Sequence, residues 1–480
     1  MNAPLRRVAI SVLVLFTLLI VNVNYIQVVR SDELRADPGN TRVLAEEYDR
    51  ERGSIVVGGT EVAMSTATDD RLTYLRQYPQ GPVYAPVTGY YSLVYGNSQV
   101  EQTENDLLSG TDARLFTRRI ADLFTGRNPS GGDVVLTLDP TVQETAMAGL
   151  EGVTGAVVAL DPSTGAVLGM ASTPTYDPNQ LSSHDPQAIR DYWAQLGAER
   201  PDPRLNRAIG DRYPPGSIFK VVVSAAALAS GQYTPDTVIP APQEFPLPQS
   251  TQTLENFGGS ACSPSGEQSL IDALTISCNT AFAELGIALG EDRVRSMAEA
   301  FGIDGDGFDT PLPVQGSTIG DIQNDAQLAT SSIGQQDVAL TPLQAAMIAS
   351  AVADDGRLMK PHLVAQLRAP DLSVIDETDP EELSRPVTPE VAQDLTRMMR
   401  SVVDEGSGRR ARIPGVQVAG KTGTAQNAGP DHNWFIGFAP ADDPEIAVAV
   451  FVANGGGTGG DVSAPIARQV MQAYLEGQGG

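Results

Sequence analysis

Three short motifs carry residue types able to break an acyl bond. In Tyr213-Pro-Pro-Gly-Ser217-Ile-Phe-Lys220, a proline–glycine break precedes an apolar periodic run, which is the pattern of a helix start. Ser217 then falls in the first turn, where free backbone amides and the positive helix end favour an alkoxide. Lys220, three positions on, lies on the same face and within reach of the hydroxyl proton. It can take that proton only if burial or a neighbouring cation lowers its pKa from about 10.4. Alone, Ser-x-x-Lys is weak, since a capping serine and a solvated lysine give the same string.

Ser277-Cys278-Asn279 separates the apolar stretches 270–276 and 281–289, and so predicts a turn between two helices. In an extended turn, residues two apart point the same way, so the hydroxyl and the amide would enter one cleft. By itself this motif reads better as a capping serine and asparagine in an ordinary helix–helix loop. The third motif is Gly420-Lys421-Thr422-Gly423-Thr424-Ala425-Gln426, which follows Val416 and Val418 in strand alternation; residues 434–438 return as a second strand. Glycine here would let a peptide lie along the strand edge and pair with it. Lys421 and Thr422 would offer a cation and a hydroxyl to a carboxylate.

Lysine usage sharpens these readings. Of 32 basic residues just three are lysine, Lys220, Lys360 and Lys421, and two of them fall in the motifs. Arginine cannot replace a compact, titratable amine. The chain of 480 residues carries a net charge of −27, which repels phosphate backbones and excludes a nucleic-acid partner. His184, His362 and His432 lie far apart and no Cys-x-x-Cys occurs, so neither a metal site nor a cofactor is expected. His432 reads as a loop residue.

Elements must position these groups. Arg6 and Arg7 precede an apolar stretch over 8–29, about the length that crosses a bilayer, with no small-x-small cleavage site after it. The expectation is an uncleaved anchor with its N-terminus cytoplasmic and everything after about residue 30 outside. Residues 155–160 and 166–171 flank Asp161-Pro-Ser-Thr-Gly165 as a β-hairpin, and 446–452 reads as a buried strand. Helical runs at 218–230, 279–289 and 342–352 lie between, and the Pro-rich stretch 235–248 reads as loop. Strands at both ends with helices between them predict an α+β domain whose antiparallel sheet is completed by distant segments.

The order Ser-x-x-Lys, Ser-x-Asn, Lys-Thr-Gly resembles that of the penicillin-binding proteins and serine β-lactamases. In detail the chain resembles the monofunctional (class B) penicillin-binding proteins of the actinobacterial A type. Arg52-Gly-Ser-Ile55 is similar to the family's juxtamembrane Arg-Gly-x-Ile, and Leu205-Asn-Arg-Ala208 to its approach to the nucleophile. The resemblance implies an N-terminal anchor (1–30), a smaller mixed α/β pedestal or dimerisation-like domain (31–150) and a penicillin-binding, serine β-lactamase-like transpeptidase domain (151–480). It implies a peptidoglycan D,D-transpeptidase in which Ser217 attacks D-Ala-D-Ala and Lys220 is the base. Ser277 would relay the proton, Asn279 would hold the substrate amide, and Lys421 and Thr422 would bind the terminal carboxylate. The amides of Ser217 and Thr424 would form the oxyanion hole, with Gly423 and Thr424 along the substrate. Implied partners are stem peptides, β-lactams, the cytoplasmic membrane and a polytopic glycosyltransferase. A class A β-lactamase would carry a Glu-x-x-Leu-Asn segment, which is missing; a sensor-type or non-catalytic relative is the other alternative.

Outside the cytoplasm, where disulfides persist, Cys262 and Cys278 are candidates for a bridge that fixes the Ser-x-Asn turn. The alternative is two small thiols packed as hydrophobes.

Overall fold

The computed structural model describes residues 2–30, 47–115, 130–305 and 310–478. It begins with the helix Asn2–Asn24, which runs into a π-helical turn at Tyr25–Val29. Its span Leu5–Gln27 has a mean hydropathy of 2.2 and no buried residues, so the helix is long and apolar enough to cross a membrane.

A six-stranded sheet follows, in the order Val374–Glu377, Val364–Arg368, Asp133–Leu136, Ile55–Val57, Thr60–Ala67, Tyr74–Gln77. Two of these strands come from beyond residue 360. Val364–Arg368 pairs antiparallel with Asp133–Leu136, so this sheet borrows a hairpin from the far half of the chain. Buried beneath this sheet, Glu101 receives Arg52 Nε at 2.7 Å, Arg76 Nε at 2.6 Å and the Tyr78 hydroxyl at 2.9 Å. This explains the Arg-Gly-Ser-Ile string. The arginine anchors the carboxylate, and at Gly53 a Cβ would stand 1.9 Å from the Gly132 carbonyl oxygen.

The second sheet has five antiparallel strands in the order Ala419–Ala425, His432–Ala439, Ile446–Val452, Gly155–Leu160, Val167–Thr173. The expected hairpin and the distant closing strands are both present. The chain is α+β as expected, with this antiparallel sheet flanked by helices. Pro140–Gly149 and Gly459–Gln478 cover one face, and Pro342–Ala353 covers the other. Burial on both faces is why Ile446–Val452 reads as an unbroken apolar run rather than an alternating one.

The stretch 235–248 is not all loop. It contains the short strands Val238–Pro240 and Glu244–Pro246, each in a two-stranded ribbon. Both prolines sit at strand ends in edge positions, where a missing amide donor is tolerated.

Candidate active site

Ser217 lies in the 3-10 turn Gly216–Phe219, which passes directly into the helix Lys220–Ala229. The turn is held on three sides. The Gly216 amide donates to Gly334 O at 2.9 Å, and Trp434 Nε1 donates to Pro214 O at 2.9 Å. Gly216 has φ 53°, and a Cβ there would stand 2.6 Å from Thr424 O. Glycine at 216 therefore serves both the left-handed backbone and the close approach of the edge strand. The missing side chain of Gly423 makes room for Pro215 O, which would lie 2.7 Å from its Cβ.

Both motif lysines are 0% exposed. Lys220 Nζ donates to Asn279 Oδ1 at 2.7 Å and to Ser277 O at 2.9 Å, with Ser277 Oγ at 3.4 Å. Lys421 Nζ donates to Ser277 Oγ at 2.8 Å and to Thr422 O at 2.9 Å. Burial, and then the charge of Lys421, holds the Lys220 amine well below the ordinary lysine range. Burial alone brings Lys421 down to about 7. A neutral amine has two N–H bonds, which the two short contacts of Lys220 use. Its lone pair stays free to accept a proton.

Ser277 differs from the extended turn expected of it. Its φ is 65°, and the amides of Ser277 and Cys278 donate back to Leu274 O at 3.2 Å and Ala273 O at 2.9 Å. The helix Leu270–Thr275 thus ends in a left-handed cap, with serine in the place glycine usually takes. Asn279 opens the next helix, Asn279–Leu289, rather than belonging to the turn. Both side chains still reach Lys220.

Residues outside the motifs complete the arrangement. Asn256 Oδ1 accepts from the Asn279 amide at 3.0 Å, the Thr280 amide at 3.1 Å and the Thr280 hydroxyl at 3.2 Å. It caps this helix from 23 positions upstream, and no local pattern announces that role. Cys262 and Cys278 are joined by a disulfide with Cα atoms 5.9 Å apart, tying the segment after Asn256 to the same turn. A groove of about 620 Å³ opens beside Ser217, lined by Asn279, Thr424, Gln426, Glu255 and Asp431 among others.

The expected edge-strand roles divide. Thr424 lines the groove, and its Oγ1 accepts from the Gly459 amide at 3.2 Å. Thr422 is 5% exposed, with its hydroxyl 2.6 Å from that of Ser407. At Gly420 a Cβ would lie 2.4 Å from Phe435 Cζ, so this glycine serves sheet packing rather than a peptide beside the strand. His432 is not in a loop. It starts the strand His432–Ala439, packs edge-on to Tyr213 and Phe451, and accepts at Nδ1 from the Asn454 amide at 3.1 Å. Lys360 stands apart, half-buried and paired with Glu381 at 3.1 Å.

A hydroxyl at a helix start, a buried amine with a free lone pair and a second cation beside an open groove define a serine acyl-transfer site. Residues 155–472 match the penicillin binding protein transpeptidase domain, and residues 52–134 match the penicillin binding protein A dimerisation domain. The chain belongs to the penicillin-binding protein transpeptidase family. It is 49% identical to the peptidoglycan D,D-transpeptidase PbpA of Mycolicibacterium smegmatis over 99% of both chains. It is 48% identical to the protein of the same name from Mycobacterium tuberculosis over 100% of both. Among solved structures, it is similar to the ceftriaxone acyl-enzyme of M. tuberculosis penicillin-binding protein A, with a TM-score of 0.88 and 47% identity. That match covers 90% of this chain and 100% of the other. The D,D-transpeptidase domain from Eggerthella lenta gives 0.78 at 33% identity, covering 90% of this chain and 99% of the other.

Proposed function

We propose that this chain is a peptidoglycan D,D-transpeptidase that works through a Ser217 acyl-enzyme and is acylated by β-lactams. The observation that carries the reading is the pair of buried lysines converging on Ser277 beside the Ser217 turn. The acyl-enzymes of the similar M. tuberculosis protein support it.

In the forward half-reaction Ser217 Oγ bonds to the penultimate D-Ala carbonyl carbon while Lys220 takes its proton. The amides of Ser217 and Thr424 hold the developing oxyanion, each such donor contributing about 3 kcal/mol to the transition state. Ser277 passes a proton to the departing amine, the C–N bond breaks and D-Ala leaves. An acceptor amine then attacks the ester, its proton returns through the same groups and the Ser217 hydroxyl is restored. Water in place of that amine gives D-Ala-D-Ala carboxypeptidase side activity. Asn279 orients the substrate amide, Gly423 and Thr424 lie along its backbone, and Lys421 with Thr422 holds its terminal carboxylate.

The N-terminal helix is proposed as a single-pass anchor in the cytoplasmic membrane, with the catalytic domain outside. Residues 1–30 would form the tip and anchor, 31–150 the pedestal and 151–480 the transpeptidase domain; a polytopic glycosyltransferase is the proposed membrane partner. A pentapeptide-bearing glycan substrate tests the reading. Wild-type chain should release D-Ala and form cross-linked dimers, whereas Ser217→Ala should do neither. Hydrolysis of penicillin with rapid turnover and no dimers would favour a β-lactamase instead.

A further inference from the structure

One outer edge of the six-stranded sheet is the strand Tyr74–Gln77. Hydrogen bonds in an antiparallel pair fall on alternate residues. The Thr68 amide donates to Thr73 O at 2.8 Å, and the same register continues through Thr66 with Leu75 and Met64 with Gln77. Thr73, Leu75 and Gln77 therefore bond inward, while Tyr74, Arg76 and Tyr78 turn their main-chain groups to the free edge. Two side chains close that edge on either side of Arg76. Asn179 takes both groups of Tyr78, its Oδ1 accepting from the amide and its Nδ2 donating to the carbonyl, each at 2.9 Å. His184 Nε2 donates to Tyr74 O at 3.1 Å. Between them, the amide and carbonyl of Arg76 have no protein partner among the described residues. This pair faces a groove of about 630 Å³ lined by Arg76 with Thr68, Asp70, Leu75, Pro79 and Ser183 among others.

Primary carboxamides close free edges elsewhere in this fold. Gln143 treats Met170, in the outer strand Val167–Thr173 of the five-stranded sheet, as Asn179 treats Tyr78. Its Oε1 accepts from the Met170 amide at 2.8 Å and its Nε2 donates to the Met170 carbonyl at 3.1 Å. A primary carboxamide presents one N–H and one C=O side by side, which matches the outward pair of a single strand residue. A partner strand is the other common cover for an edge. It needs successive outward pairs about 7 Å apart, and the positions on both sides of Arg76 are already taken by Asn179 and His184.

We propose that this groove is a second substrate site, which binds a stem peptide through a primary carboxamide laid against the Arg76 amide and carbonyl. This rests on the D,D-transpeptidase reading above. A stem peptide is short enough to enter between Asn179 and His184, where a longer strand is blocked. The site would distinguish a stem whose side carboxyl has been converted to a carboxamide from one that keeps the acid. A carboxylate has no N–H to offer the Arg76 carbonyl. It is also repelled by the exposed Asp70, which lines the groove, in a chain whose net charge is −27. The carboxamide is neutral and supplies both halves of the pair. The residues of this groove and of the groove beside Ser217 are entirely different, so a stem can be held here independently of acylation.

The test uses the full chain in detergent micelles and two dipeptides that differ at one group, L-Ala-D-isoglutamine and L-Ala-D-glutamate. Hydrogen–deuterium exchange reports on the main chain from Tyr74 to Tyr78, and acylation of Ser217 by benzylpenicillin is measured in parallel. The isoglutamine dipeptide should slow exchange in that segment at a concentration about tenfold below that needed for the glutamate dipeptide, the size of one lost hydrogen bond. Ser183→Trp, which fills the groove, should abolish the protection and leave melting temperature and acylation unchanged. The comparison of the two dipeptides on wild-type chain stands whether or not that variant folds. Equal effects of the two dipeptides, no protection by either, or protection that survives Ser183→Trp would overturn the proposal, while normal acylation would leave the transpeptidase reading intact. Stronger protection by acetyl-Gly-Gln-Gly methyl ester than by the isoglutamine dipeptide would give the groove to a protein partner and overturn it too. A wild-type chain that benzylpenicillin does not acylate would overturn the reading on which the proposal rests.

Discussion

Lys220 and Lys421 reach one hydroxyl from two separate elements, a helix and an edge strand, with Nζ atoms 3.4 and 2.8 Å from Ser277 Oγ. Two fully buried ammonium ions so close together are unfavourable, so the pair stays short of full charge near neutrality. One amine then serves as base and the other as the cation for an anionic substrate. Ser277 links them.

Replacing Ser217 by Ala should abolish labelling by a fluorescent penicillin, and Lys220→Arg should come close to doing so. Guanidinium stays protonated at every working pH and cannot take the hydroxyl proton. A gel that still shows labelled Ser217→Ala would move the nucleophile elsewhere.

Acylation by a carboxylate-bearing β-lactam should fall as pH rises through about 7, where Lys421 loses its charge. Lys421→Ala should be slow at every pH and lack this alkaline limb. Stability should move the opposite way. Lys421 titrates near 7 when folded and near about 10.4 when unfolded, so between those values the unfolded chain holds the extra proton. The fold's deficit is complete below about 7 and is relieved as pH rises toward the unfolded value. Melting temperature should therefore climb more from pH 7 to pH 9 in wild-type chain than in Lys421→Met; parallel curves would contradict the assigned shift.

Reduction of the Cys262–Cys278 bridge should slow acylation before it unfolds the domain, because Cys278 joins the Ser277 turn to the start of the helix that Asn279 opens. The closed loop spans 16 positions, for which the chain-entropy account gives about 3 kcal/mol. Acylation rate and far-ultraviolet circular dichroism followed against dithiothreitol concentration should lose the rate first. Coincident losses would make the bridge a purely global staple.

Asn256→Ala removes the oxygen that accepts from Asn279, Thr280 and the Thr280 hydroxyl. The helix loses its cap, at about 1–2 kcal/mol. Chemical denaturation should record that loss, and acylation should slow several-fold because Asn279 is one of the acceptors that hold Lys220.

Much of this site is legible in the sequence because its chemistry is local. Ser217 and Lys220 share one turn, Ser277 and Asn279 flank one cysteine, and Lys421 and Thr422 are adjacent in one strand. What the sequence hides is what tertiary contact decides. The left-handed backbone of Ser277 follows from a helix cap written with serine instead of glycine. Asn256 and Ser407 act on partners 23 and 15 positions away. Gly420 looks like a substrate-side gap, yet it is cleared for a phenylalanine on the neighbouring strand. The hairpin over 364–377 joins the six-stranded sheet through pairing that no periodicity in either segment specifies.

The central claim is that Ser217 forms the acyl-enzyme, and the most direct measurement is the mass of the proteolytic peptide that contains it after exposure to benzylpenicillin. The account predicts that the peptide running from Tyr213 to Lys220 gains the mass of one intact penicillin, with the fragment ions placing the adduct on Ser217. An adduct on Ser277 or any other residue, or an unmodified peptide after prolonged exposure, would contradict it.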